Sequence, residues 1–155
     1  MDKKLAIIAT KGSLDWGYPP FILASTAAAL GYEVEIFFTF YGLKLLEKDM
    51  SSLSVSTLGN PAMPMPVPVP VTLQALPGMQ RFVTGMMKKK MAAKGVAPLS
   101  ELRELCQEAE VRFIACQMTV DLFEFDASTF TDGTELGGAA LFFEFAGDSD
   151  ICLYI

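Results

Sequence analysis

The chain has 155 residues, 12 basic and 18 acidic side chains, a net charge of −6 and no histidine. The acidic balance removes the basic footprint that nucleic-acid binding needs. The missing imidazole removes Ser-His and Cys-His catalysis, histidine metal sites and the usual pH switch.

A chain of this length fits one domain and buries about 68–70% of its unfolded surface. It can therefore fold without disulfides or a metal. Its apolar fraction is 52%, so the surplus must enter a sheet buried on both faces, an oligomer interface or a membrane. A membrane span needs about 20 uninterrupted apolar residues. Residues 17–30 are too short and carry Pro19 and Pro20, and residues 61–79 carry six prolines. Asp2, Lys3 and Lys4 precede only a short apolar run, which reads as a strand rather than a signal peptide. The expectation is a cytoplasmic protein without a membrane span, whose surplus apolar surface forms a homo-oligomer interface. Cys106, Cys116 and Cys152 are odd in number and form no CxxC pair, so they are expected as free thiols in a reducing cytosol, with no metal site and no cofactor.

In chain order, residues 4–10 (KLAIIAT) are nearly continuous in apolar character, the mark of a parallel strand buried on both faces. Lys11-Gly12-Ser13 makes a turn. A helix is expected to start near Asp15, run from Pro19 or Pro20 to Leu30 and stop with Gly31 at C′. Residues 32–38 (YEVEIFF) read as a second strand, completing a βαβ unit. Residues 42–48 read as a short helix. Residues 49–77 form a proline-rich insert in which Pro64, Pro66, Pro68 and Pro70 impose extended backbone. A sheet interior would reject it, and its apolar content argues for an ordered lid or an oligomer contact.

Residues 78–94 place Met79, Phe82, Val83, Met86, Met87 and Met91 at helical spacing, with a lysine cluster at the C-terminal end where the dipole favours cations. A helix over 100–109 presents Leu102, Leu105, Cys106 and Ala109. Residues 111–116 (VRFIAC) form the third strand, residues 136–146 a helix, and residues 151–155 the last strand. Alternating strands and helices give an α/β fold, a mainly parallel sheet of four to five strands with helices on both faces.

Ligands of such sheets sit beyond the carboxyl ends of the strands. That edge receives Thr10, Lys11 and Gly12 from the first strand, Thr39, Phe40, Tyr41 and Gly42 from the second, and Cys116, Gln117 and Met118 from the third. Cys116 is the candidate nucleophile. Residues 117–121 can open a helix, and a thiol at a helix N-terminus meets free N–H groups that lower its pKa below the ordinary value of about 8.5. Lys11 offers a nearby cation. The plain alternative is a small apolar side chain ending a strand. Cys106 and Cys152 read as core. Lys11-Gly12-Ser13 lacks the full phosphate-loop pattern, yet its N–H groups suit a small anion.

The segments Ala9-Thr10-Lys11-Gly12, Phe37-Phe38-Thr39-Phe40-Tyr41-Gly42, Met86-Met87-Lys88-Lys89-Lys90, Ala115-Cys116-Gln117-Met118-Thr119 and Gly137-Gly138, with Trp16, Pro19-Pro20 and Asp132-Gly133, resemble the DsrE/DsrF-like family. The likeness extends to its subgroup with a long proline-rich insert. The resemblance implies a three-layer α/β/α domain that assembles into trimers, tetramers, hexamers or other homo-oligomers. It also implies sulfur-relay chemistry through a cysteine persulfide, a role that maps to Cys116, and partners such as TusA-type sulfur carriers and rhodanese-like transferases. Thr10, Lys11, Gly12, Tyr41, Gln117 and Met118 are the expected substrate-binding residues. Two other readings stay open, a non-catalytic module binding a small anion or nucleotide, and a thiol redox sensor.

Overall fold

The structure is a computed structural model that describes residues 3–56 and 70–155. Five strands form one sheet: β1 (Lys4–Ala9), β2 (Glu33–Phe38), β3 (Arg112–Cys116), β4 (Thr134–Gly137) and β5 (Ile151–Tyr154). Their order is β4-β3-β2-β1-β5 and every neighbouring pair is parallel. The apolar richness of the first three strands follows from this arrangement. Ile7, Ile36, Phe38, Ile114 and Ala115 have no exposed surface, because their strands are covered on both faces.

One face packs against α1 (Leu14–Ala29) and α3 (Leu99–Glu108), with α2 (Met79–Ala93) further out. Its centre is the aromatic triangle Phe21, Phe38 and Phe113, whose ring centroids lie 5.5–6.0 Å apart. Each such side chain stabilises the fold by about 1.5–3 kcal/mol through burial. The opposite face carries α5 (Ala139–Ala146), which lays Phe142 and Phe145 on Ala6, Phe37, Ile114 and Cys116. Eight helical residues reach only about 12 Å, less than the width of the sheet. Phe143 is 67% exposed and Tyr154 75% exposed beside it. The fold is thus the expected three-layer α/β/α, with one thin layer.

Several elements depart from the sequence expectations. α1 runs unbroken from Leu14, with Pro19 and Pro20 in its interior. A proline inside a helix costs about 3 kcal/mol. The first turn is anchored from outside: Leu14 is buried and its N–H donates to the Ser54 carbonyl at 2.8 Å. The Asp15 carboxylate accepts from the Ser56 N–H and hydroxyl at 2.8 and 2.6 Å. The helix stops as expected, with Gly31 at φ 85°. The short helix expected at 42–48 is a 3₁₀ helix spanning Phe40–Leu46.

The expected helix over 136–146 is two elements, the edge strand β4 and then α5, separated by the extended Gly138. The four residues of β4 are too few to show strand alternation. On α2 only part of the expected apolar face is used. Val83 is buried and Met79 and Met87 pack on the core, but Phe82 is 64% exposed. On α3, Leu105 faces outward and Arg103 is buried in its stead. The Arg103 guanidinium donates to the Leu45 and Glu47 carbonyls at 3.0 and 2.7 Å, closing the C-terminal end of the 3₁₀ helix.

The start of the insert is fixed to the body. Leu53 and Val55 are buried, and the Val55 N–H donates to the Thr84 hydroxyl at 3.1 Å. The alternating prolines Pro64, Pro66 and Pro68 lie outside the described residues, and so does most of the expected lid. Among the described residues no helix is long and apolar enough to cross a membrane.

Candidate active site around Cys116

The parallel sheet brings the expected residues to one edge. Their surroundings divide them into two groups. Thr10 is tied to the last residue: its N–H and hydroxyl both donate to the Ile155 carbonyl, at 2.8 and 2.9 Å. Gly12 lies so close to the Tyr41 carbonyl that a Cβ would collide with it, and Gly42 meets the Ala9 carbonyl in the same way. These two glycines let the ends of β1 and β2 interlock. Lys11 sits with its ammonium 3.6 Å from the centroid of the Trp16 ring, a cation–π contact. Lys11, Gly12, Trp16, Tyr41 and Lys44 line an open cavity of about 660 Å³, closed on its far side by residues 52–56.

Cys116 stands at the end of β3, opposite Gly137 in the register and two strands from β1. Adjacent strands lie about 4.8 Å apart, so Lys11 and Cys116 issue from backbones on the order of 10 Å apart. Lys11 is not among the groups that hydrogen-bond the thiol. Gln117 donates from its side chain to Asp121 at 2.8 Å. Met118 is exposed beside the thiol, and Tyr41 stacks on Phe123 at 5.8 Å. The sheet edge thus gathers Cys116, Gln117 and Met118 into one group and Thr10, Lys11 and Gly12 into another, with Tyr41 between them.

The Cys116 side chain is 6% exposed and packs with Ala6, Phe37, Ile114, Phe142 and Phe145. It is the N-cap of α4 (Gln117–Leu122). Six residues make a weak dipole, so the immediate donors matter more. The hydroxyls of Thr119 and Thr39 and the N–H groups of Met118 and Thr119 are the donors that act on the sulfur, although the cap closes no side-chain hydrogen bond. Burial pushes the thiol up, and these four donors more than offset it, leaving the pKa below the ordinary cysteine value. The Thr119 hydroxyl is itself held. It accepts from the Phe40 N–H at 3.2 Å and lies 3.2 Å from the Thr39 hydroxyl. Phe40 has φ 49°, a left-handed conformation that costs a bulky residue about 1–2 kcal/mol.

Thr119 and Thr39, 3.2 Å apart beside the thiol, were not among the substrate-binding residues expected from the sequence. The available signal was the spacing: a residue three beyond the N-cap can reach back to it, as in a capping box. Thr39 ends the strand next to β3 and was visible only as part of the sheet edge. The other two thiols differ from Cys116. Cys106 is buried against the Phe21 carbonyl at 3.4 Å, and burial pushes its thiol up to about 12. Cys152, expected in the core, is exposed on the edge strand β5, because only β1 flanks it and α5 does not reach it. Among the described residues no three His, Cys, Asp or Glu side chains converge as a metal site would require.

Comparison with known proteins bears on this geometry. The profile of the DsrE/DsrF/DrsH-like family matches residues 1–154. The chain is 70% identical to the sulfur carrier protein DsrE2 of Allochromatium vinosum, over 99% of this chain and 98% of that protein. It is 28% identical to the uncharacterized protein YrkE of Bacillus subtilis, over 99% and 97% of the two chains. The crystal structure of the YchN protein of E. coli superposes with a TM-score of 0.57 over the whole of both chains, at 10% identity, a likeness of fold alone. The chain therefore belongs to the DsrE/DsrF/DrsH-like family, the assignment that the Ala115-Cys116-Gln117-Met118 segment first suggested.

Proposed function

We propose that this chain is a sulfur carrier with sulfurtransferase chemistry, and that Cys116 holds the cargo as a persulfide. The observation that carries the reading is a thiol at a strand–helix junction, in donor surroundings that lower its pKa, in a chain 70% identical to a sulfur carrier. Loading begins with the thiolate. Its sulfur attacks the outer, sulfane sulfur of a donor, a new S–S bond forms, and the donor leaves with the electron pair of the bond that breaks. The product is Cys116–S–SH once a proton is taken up. A single thiol suffices, which suits a chain without CxxC.

The cavity lined by Lys11, Gly12 and Tyr41 is the proposed landing place for an anionic donor, beside Gln117 and Met118 at the thiol. Thr10 holds the floor of that edge through the C-terminus. The proposed donors and acceptors are rhodanese-like transferases and TusA-type carriers in the cytoplasm. The exposed apolar residues around α5 support assembly into a homo-oligomer, since a patch of this kind in water is an interaction surface. Transfer of labelled sulfane sulfur tests the reading: from thiosulfate or a persulfidated rhodanese, through this protein, to an acceptor thiol. Passage in the wild type and its loss in Cys116→Ser are expected. Equal passage in both would sink it.

A second reading draws on the size of the Lys11 cavity and its distance from the thiol. In it the chain binds a small anion there and Cys116 is a bystander. Thiosulfate would then raise the melting temperature of Cys116→Ser as much as that of wild type, with no sulfur transferred.

A further inference from the structure

Charge is sorted along this chain. Residues 51–100 hold five basic side chains, Arg81, Lys88, Lys89, Lys90 and Lys94, and no acidic one. All 18 acidic side chains lie outside that stretch. Four of the five cations stand on α2, and Lys94 caps its end. α2 buries one side only. Val83 and Thr84 are buried, and Met79 and Met87 pack on the core. Residues 51–56 fix this side. The Val55 N–H donates to the Thr84 hydroxyl at 3.1 Å, the Gln80 side chain donates to the Val55 carbonyl, and the Lys88 ammonium donates to the Ser51 carbonyl at 3.2 Å. The other side carries Phe82, Met86 and Lys89, all exposed, at the spacing of one helical face. Gly85 lies on that side too. A Cβ there would meet nothing within 4 Å, so no contact inside the chain calls for the poorest helix former after proline. A bare backbone at this point suits the close approach of another element.

α3 carries the matching surface. Glu101, Glu104, Leu105 and Glu108 are exposed and share one face, while Leu99, Arg103 and Cys106 are buried. Among the described residues none of these exposed carboxylates, and none of the α2 cations, makes an ion pair. Two α2 helices facing each other would repel, and so would two α3 helices. α2 against α3 of another molecule sets opposite charges around an apolar strip made of Phe82, Met86 and Leu105. With 15 and 10 residues the two helices are about 22 Å and about 15 Å long, so α3 lies within the length of α2.

We propose that the outer face of α2 is a self-association surface, seating the acidic face of α3 from a second copy of this chain. The apolar strip supplies the contact area. The charges choose the pairing, since exposed ion pairs add little affinity of their own. An anionic bilayer fits this face less well. Lys89 interrupts its apolar stripe, and the acidic remainder of the chain is repelled by such a surface. The contact lies on the face of the sheet opposite α5, so it adds to a contact through α5 and does not compete with it.

The test is sedimentation velocity on the full chain carrying Phe143→Glu, so that contact through α5 does not mask the result. This parent is compared with the same protein carrying Arg81→Glu and Lys89→Glu, and with one carrying Glu101→Lys and Glu108→Lys. The parent is expected to associate at about 50 mM salt and to lose roughly tenfold in association constant at about 500 mM. Each reversed protein alone is expected to associate roughly tenfold more weakly than the parent, because like charges then face each other. An equimolar mixture of the two is expected to regain the association of the parent. There the reversed α2 of one protein meets the reversed α3 of the other, and the unreversed pair matches as well. A parent that is monomeric at both salt concentrations overturns the proposal, and its flotation with phosphatidylserine vesicles would then assign the face to a bilayer. Reversed proteins that melt and associate like the parent overturn it too, and so does a mixture no stronger than its components. If a doubly reversed protein does not fold, Lys89→Glu and Glu108→Lys are mixed in its place, and the same outcomes decide.

Discussion

Three cysteines of one chain have three environments, and those environments set their reactivity. Cys106 is buried beside a carbonyl, an acceptor that offers nothing to an anion, and its thiol is pushed up to about 12. Cys116 is almost as buried but faces four donors. Cys152 is exposed on β5. Alkylation at neutral pH followed by peptide mapping is expected to label Cys116 and to leave Cys106 unlabelled until the protein is unfolded. Labelling of Cys106 in the native protein would contradict the burial argument.

A second residue carries a pH dependence. Glu35 on β2 has no exposed surface. The Arg112 guanidinium donates to one carboxylate oxygen at 2.8 Å, and the other has no partner among the described residues. Burial pushes the carboxyl up from 4.5 to about 7, against the pull of Arg112. A carboxyl whose folded pKa is raised binds its proton more tightly in the native state. Its contribution to stability is therefore whole below 4.5 and is lost as pH rises towards about 7. Chemical denaturation across that range should show wild-type stability falling with pH, and Glu35→Gln should flatten the fall. An identical slope in the variant would refute the assignment.

At the scale of elements, the sequence was legible wherever an element is buried on all sides. The stretches at 4–9, 33–38 and 112–116 are strands because their clustered apolar residues need a two-sided core, with Glu35 buried among them. Cys116 at a strand–helix junction follows from the third run. The rest was hidden for physical reasons. β4 is four residues long and pairs on one side only, so it carries no period of its own. α2 is apolar around more of its circumference than it buries, and spacing could not say which part faces the core. Pro19 and Pro20 argue against a helix interior, and only contacts far along the chain, at Ser54 and Ser56, overrule them. The pairing of Thr39 with Thr119 beside the thiol was illegible because the two lie 80 residues apart.

The close approach of β1 and β2 gives an element-scale test. In Gly42→Ala the new methyl meets the Ala9 carbonyl. Overpacking of this kind costs about 1–3 kcal/mol. The shift should also disturb the neighbouring Phe40 N–H, so the variant is expected to melt lower and to alkylate more slowly at Cys116. A variant that melts like wild type would mean that the two strand ends are not interlocked.

At the scale of the whole molecule, the two faces of the sheet are unequal. Among the described residues one has two packed helices and an aromatic triangle, and the other has only the short α5, with Phe143 and Tyr154 exposed. An acidic chain with 52% apolar residues is expected to cover such a face with another copy of itself. Phe143→Glu is therefore expected to lower the mass found by sedimentation velocity, while leaving the sheet intact by circular dichroism. An unchanged mass would place the interface elsewhere or nowhere.

All three scales meet at one sulfur atom. The buried strand delivers it, the polar groups around it lower its pKa, and it stands at the carboxyl edge of the sheet. Peptide mass mapping after exposure to polysulfide, on wild type and Cys116→Ser, tests that convergence most directly. The account predicts one added sulfur on the peptide containing Cys116, lost on treatment with a thiol and absent from the variant. Added sulfur on Cys152 alone, or equal uptake by Cys116→Ser, would contradict it.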